Sequence, residues 1–292
     1  MTTLPLVRSF TDSHGVDITF YEWPVAKPKA IVQIAHGLGE HARRYDHVAE
    51  ALNRAGFGVY ADDHRGHGAT GVNMRAKGFI KQQGNLGPGG MPATFSAVRQ
   101  LSHLIRGEHP EIELVLLGHS WGSMIVQRLL NKFSDEYDLA VLTGSTLLLP
   151  GILPSGGFNK KYEAEAKKAG VASSGGEWLS RDLEVGKKFR ADPLNFDEGA
   201  IGAFGVVNVL GLLGTPSRRM PADIPILLMA GSDDAIGGEK GNVMLLNAYK
   251  RAGLSDLELI IYDGGRHEVF NETNKNEVMA DLIEWIDARL SD

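Results

Sequence analysis

The chain has 292 residues, 43% of them hydrophobic, which suits one large α/β domain with an inserted subdomain better than two independent units. Its formal charge of -6 is modest and no basic cluster is present, which argues against a nucleic-acid partner. Cysteine is absent, so disulfides, thiolate metal sites and a cysteine nucleophile are excluded.

The first residues, Met1 to Arg8, lack a basic stretch followed by a long apolar core, so no signal peptide is expected. The longest weakly polar stretch, Gly199 to Gly214, is shorter than the ~18 apolar residues of a membrane span. A cytoplasmic protein is the expectation. Val16 to Trp23 alternates loosely and predicts an early antiparallel strand. From Ala30 the pattern becomes alternating strand and helix. Ala30 to Ala35 predicts a buried strand, Tyr45 to Ala55 a helix stopped at Gly56, and Gly58 to Ala61 the next strand. Helix Gly89 to Ile105, strand Leu114 to Leu117, helix Ser123 to Phe133 and a strand beginning at Leu139 follow.

Residues 146–223 then break the repeat with Gly/Ser/Pro segments and short helical pieces but no clear strand. Alternation resumes with strand Pro225 to Ala230, helix Lys240 to Arg251, strand Leu257 to Tyr262 and a closing helix Glu277 to Leu290. Such alternation predicts a mostly parallel central sheet covered by helices on both faces. The expected division is a core of residues 1–145 and 224–292. Residues 146–223 are then a cap above the C-terminal strand ends, where open α/β sheets keep their sites.

Gly118-His119-Ser120-Trp121-Gly122 follows directly on the apolar run Leu114 to Leu117. A serine between glycines at a strand-to-helix turn is the context of a nucleophile elbow, and the glycines let strand and helix approach closely. A serine hydroxyl needs a base, and the base needs an orienting acid. Such elbows are followed in chain order by the acid and then the base, each after a later strand. Gly231-Ser232-Asp233-Asp234 and Asp263-Gly264-Gly265-Arg266-His267 stand at those places. His267 is the only histidine after Ser120 and is assigned as the base. Asp233 and Asp234 both remain candidates for the acid, with Asp263 a weaker third. Ala35-His36-Gly37-Leu38-Gly39-Glu40 closes the first central strand. It nominates the Leu38 backbone N–H, together with that of Trp121, as donors to a transition-state oxyanion.

His36-Gly37-Leu38-Gly39-Glu40-His41, Asp63-His64-Arg65-Gly66-His67-Gly68, the Ser120 elbow, Gly231-Ser232-Asp233-Asp234 and Gly265-Arg266-His267-Glu268 together resemble one known group. It is the monoacylglycerol lipase/lysophospholipase branch of the α/β-hydrolases, often labelled with the serine aminopeptidase-like hydrolases. The resemblance runs from about residue 10 to the C-terminus and is weakest in the cap. It implies the α/β-hydrolase fold, an oxyanion hole at Leu38 and Trp121, a structural loop over Asp63 to Gly68, and a mobile cap shaping an acyl pocket. The family's acid lies three residues past the strand-ending glycine, which selects Asp234. The implied catalytic set is Ser120, Asp234 and His267.

The expected activity is hydrolysis of small-molecule carboxylic esters through an acyl-enzyme. Monoacylglycerol-like, lysophospholipid-like and other short or medium acyl esters are all candidate substrates. Amide or thioester cleavage by the same triad, or a low-turnover binding protein on the same fold, are the alternatives. Activity is expected to rise at about pH 6–7, as the base deprotonates. No cofactor is expected. Ten histidines raise the question of a metal, but the pairs His36/His41 and His64/His67 lie in Gly-rich loops without a matching carboxylate pattern, and none is expected. His119 is expected to pack or hydrogen-bond behind the elbow. Ile201, Phe204, Val207, Val209, Leu210, Leu212 and Leu213 are read as core between cap and main domain, with an acyl channel or transient lipid-surface contact as the alternative. Lys160 to Lys168 is read as a solvated helix face.

Overall fold

The computed structural model describes residues 4–149, 157–197 and 199–290. The expectations for Met1 to Thr3, for 150–156 and Glu198 within the predicted cap, and for the last two residues lie outside the described residues. The first half contains β1 (Leu6–Thr11), β2 (Asp17–Trp23), β3 (Ile31–Ala35), α1 (Asp46–Arg54), β4 (Gly58–Asp62), α2 (Gly68–Ala76) and α3 (Gly90–Glu108). It continues with β5 (Leu114–His119), α4 (Trp121–Phe133) and β6 (Leu139–Thr143). Between β6 and the next strand lie the short helices α5 (Lys160–Lys168), α6 (Leu183–Ala191), α7 (Ala200–Phe204) and α8 (Val206–Leu210). The chain ends with β7 (Ile226–Gly231), α9 (Gly238–Ala252), β8 (Leu257–Tyr262) and α10 (Lys275–Asp287).

The strands form one eight-stranded sheet in the order β1-β2-β4-β3-β5-β6-β7-β8. β2 runs antiparallel to β1 and β4, and every pairing from β4 to β8 is parallel. The central strands are apolar on both faces because helices cover both. Within β5, Leu114 and Leu116 join the core shared with Val98 and Leu101 of α3, Ile125 and Leu129 of α4, and Leu245 of α9. Val115 and Leu117 point the other way, into the core shared with Val48 and Leu52 of α1 and with Val278, Leu282 and Trp285 of α10. The period-2 alternation of a strand thus feeds two hydrophobic layers. Each fully buried leucine of this kind contributes about 1.5–3 kcal/mol.

Two elements were not anticipated. β1 is an edge strand whose Leu6 and Val7 are exposed, so it carries no clean apolar alternation. α2 buries Gly68, Thr70 and Gly71 and, of large apolar side chains, Met74 alone, so its amphipathic signal is weak. The other predicted strands and helices fall within a few residues of their observed ends.

Parallel register gathers the site at one sheet edge. Ala35 at the end of β3 pairs with Gly118, His119 pairs with Thr143 of β6, and Gly231 of β7 pairs with Tyr262 of β8. The loops that follow these residues carry Leu38, Ser120, Asp234 and His267.

Candidate active site

Ser120 sits between β5 and α4 with φ 52° and ψ -120°, a left-handed conformation that ordinary side chains rarely adopt. The crowding that enforces it is visible at the neighbouring glycines. A Cβ on Gly118 would lie 2.6 Å from the Gly122 carbonyl oxygen, and one on Gly122 would lie 2.0 Å from that of Ala35. The Ser120 N–H donates to the Thr143 carbonyl (2.9 Å) and the Ser123 hydroxyl donates to the Ser120 carbonyl (2.6 Å), which fixes the turn from both sides.

The acid and base loops are tied together before their side chains meet. Asp233 N donates to Gly265 O (2.9 Å), Ser232 N to Tyr262 O (2.9 Å) and Gly264 N to the Ser232 hydroxyl (2.8 Å). His267 Nδ1 then lies 2.9 Å from Asp234 Oδ1, which also accepts from Ile236 N at 2.8 Å. Asp233 turns away: its carboxylate pairs with Lys161 and its carbonyl accepts from the Tyr162 hydroxyl. Asp263 contributes a carbonyl to Arg181 (3.2 Å). Of the three candidate acids, Asp234 is the one brought to the imidazole.

Burial opposes a charged His267, but Asp234, through charge and hydrogen bond, and then Glu268 and Glu40 outweigh it and raise the imidazole above its ordinary value. His119 is a different case. Its Nδ1 lies 3.0 Å from the Thr143 hydroxyl, and burial, helped by the neighbouring His267, pushes it down to about 4. It is therefore neutral at pH 7 and packs behind the elbow. Gly144 sits against both rings, with φ 54° and a notional Cβ 2.8 Å from His119 Cε1 and 2.9 Å from His267 Cε1.

Leu38 and Trp121 line the same cavity as Ser120 and His267. Among the described residues neither of their backbone N–H groups donates to a protein acceptor. The Leu38 turn is held by Glu40, whose Oε1 accepts from Gly37 N (2.6 Å) and from the Tyr45 hydroxyl (2.8 Å). Arg44 then bridges Glu40 (2.5 Å) and Glu268 (2.6 and 2.8 Å), so the glutamate beside the base and the one beneath the Leu38 turn share one buried guanidinium. Burial alone would raise Glu268; Arg44 overrides it and brings the carboxyl down to about 2. Glu40 stands in the stretch His36 to His41 and Glu268 directly follows the base, but the sequence carries no signal that Arg44 joins them.

The cavity has a volume of about 410 Å³ and mostly apolar walls. The apolar stretch of the β6–β7 segment divides in two. Phe204, Val209 and Leu212 are buried and line the cavity, Val207 and Leu210 are exposed away from it, and Ile201 is exposed at its wall. Within α5 only Tyr162 is buried, so the rest of Lys160–Lys168 is solvated. The histidine-rich loops hold each other: His36 Nε2 accepts from His64 N (3.0 Å), and His64 Nδ1 lies 2.8 Å from buried Asp62. Among the described residues no group of side chains has metal-site geometry, and no helix is long and apolar enough to cross a membrane.

Residues 26–274 match the family model described as serine aminopeptidase, S33. The monoacylglycerol lipase of Mycolicibacterium smegmatis is 32% identical, over 97% of this chain and 97% of that one. A lipase solved in an open form is 29% identical with a TM-score of 0.79, covering 99% of this chain and 100% of the other. A thermostable carboxyl esterase from Bacillus coagulans, solved with glycerol, has a TM-score of 0.81 at 24% identity, covering 99% and 100% of the two chains; that likeness bears on the fold alone.

Proposed function

The chain belongs to the serine aminopeptidase S33 family and is a carboxylic ester hydrolase on the α/β-hydrolase fold; from that premise we propose a serine mechanism acting on single-chain acyl esters, monoacylglycerols among them. The observation that carries the reading is the Asp234–His267 pair at 2.9 Å, opening onto the cavity that also holds strained Ser120.

Ser120 Oγ attacks the acyl carbon while His267 Nε2 takes its proton, and Asp234 keeps Nδ1–H pointed at itself. The carbonyl oxygen becomes an oxyanion held by the N–H groups of Leu38 and Trp121. Collapse breaks the ester C–O bond, and the leaving alcohol takes the proton from His267. Water, deprotonated by the same imidazole, attacks the acyl-enzyme, releases the fatty acid and returns the proton to Ser120.

An ester fits the walls better than a peptide with a charged amino terminus. Among the described residues lining the cavity, the two buried carboxylates, Glu40 and Glu268, are both committed to Arg44 and leave no buried anion to hold an ammonium. The segment 146–223 is read as the cap, and its exposed Ile201, Val206, Val207 and Leu210 as a transient lipid-surface contact beside the cavity.

The test is turnover of p-nitrophenyl esters from acetate to palmitate and of glyceryl monoesters by wild type and Ser120→Ala. Chain-length-dependent turnover abolished in the variant is expected. Full turnover by Ser120→Ala would falsify the mechanism.

A further inference from the structure

Residues 177–181 belong to the β6–β7 segment, yet they are fastened to the loop that carries the base. His267 N donates to Trp178 O (3.3 Å), Glu268 N to Leu179 O (2.8 Å) and Arg266 Nη1 to Glu177 O (2.8 Å). The Ser180 hydroxyl donates to Asn271 O (2.9 Å), and Arg181 Nε reaches buried Glu272 (2.8 Å). On this frame the Trp178 indole stacks on the His267 imidazole, with centroids 4.9 Å apart and planes 26° from parallel. The His119 ring also packs against the imidazole, its centroid 4.8 Å away and its plane tilted by 51°.

We propose that Trp178 is a positioning residue for the base, holding the His267 ring in plane and presenting its π-face to the imidazolium that forms during turnover. The inference rests on the serine mechanism above for its effect on turnover, but the stacked pair exists independently of that mechanism. The stacked indole and the tilted His119 ring both pack on the imidazole, and the hydrogen bond to Asp234 fixes its rotation. The indole face also attracts cationic imidazole more than neutral imidazole, so the charge relayed from Ser120 is stabilised where it develops.

Other charges around the ring are accounted for. Asp234 comes from the loop after β7, Glu268 from the same loop as His267, Glu40 from the loop after β3 and His119 from the end of β5. Glu177 on the strap turns its carboxylate to Asn159 (2.6 Å) and to Ser174 N. Lys161 is spent on Asp233, and Arg266 lies over the Tyr162 ring at 4.5 Å.

Protonated imidazole quenches a stacked indole, which supplies a readout that does not need activity. Wild-type tryptophan emission, titrated from pH 5 to 9, is expected to rise with a midpoint matching the acid limb of kcat/KM. That component is expected to disappear in both Trp178→Phe and His267→Gln. In turnover, Trp178→Phe keeps an aromatic face and is expected to stay within about threefold of wild type. Trp178→Leu is expected to lose about tenfold in kcat and to move the acid limb down by roughly half a pH unit. An emission titration that persists unchanged in Trp178→Phe overturns the proposal. So does a Trp178→Leu variant altered in KM alone, with kcat and pH profile intact, since that describes only a pocket wall. Failure of the serine mechanism would be seen separately, as turnover surviving in Ser120→Ala.

Discussion

His267 and Asp234 meet at 2.9 Å with side chains only 2% and 0% exposed, on loops joined by backbone hydrogen bonds before either side chain is placed. The pair therefore keeps its geometry without substrate. Because its net effect is to raise His267, the base is half protonated above, not at, the ordinary histidine value of about 6.5.

The sign for activity follows from the base having to be neutral. kcat/KM is expected to fall as pH drops through a point above about 6.5. Asp234→Asn removes the main group raising the imidazole and should move that limb downward, with kcat reduced by about 10³–10⁴-fold. A wild-type limb at or below pH 6 would contradict the assignment. For stability the sign is opposite. The pair stabilises the fold fully below the unfolded value and loses that contribution as pH rises through the raised folded value.

Arg44 is the hub of a buried ionic cluster, its side chain 12% exposed between Glu40 and Glu268. Arg44→Met leaves both carboxylates buried without a counter-charge and should cost about 3–5 kcal/mol in denaturant unfolding. Adding Glu268→Gln to that variant should recover part of the loss. A cost under about 1 kcal/mol would show that the cluster is already solvated.

Gly144→Ala combines a left-handed φ of 54° with a methyl group less than 3 Å from both the His119 and His267 rings. The strain should cost about 1–2 kcal/mol, and kcat should fall more than stability alone explains. Gly15→Ala is the matched control, because φ is 76° but nothing lies within 4 Å of the new methyl. It should lose stability and keep full activity. Equal activity in the two variants would remove Gly144 from any role in ring placement.

Ser120→Gly should raise stability by about 1 kcal/mol while abolishing turnover, since glycine adopts φ 52° without strain. Ser120→Ala should abolish turnover without that gain. Thermal melts of the two variants side by side decide it.

What the sequence revealed and what it hid have physical reasons. The elbow was legible because Leu114 to Leu117 is uniformly apolar and Gly118 and Gly122 answer a steric need that no other residue meets. β8 was legible to the residue because Leu257–Tyr262 is bounded by turn residues. Asp233 and Asp234 could not be separated from spacing, since their directions depend on a turn fixed by Gly265, a partner far along the chain. Trp178 left no trace at all. A lone indole in an irregular stretch has no periodicity, and its neighbour His267 is supplied only by the fold.

The fastening of 177–181 to the base loop also limits how this scaffold can be redesigned. Exchanging the whole of 146–223 for the corresponding stretch of another hydrolase would remove Trp178 and the carbonyls that anchor Arg266, His267 and Glu268. Chimaeras meant to change substrate preference should therefore splice on either side of this strip and leave it native. The selectivity of the pocket is open to grafting through α7 and α8, whose Phe204 and Val209 line it, with Phe204 packed on His67 and Trp121.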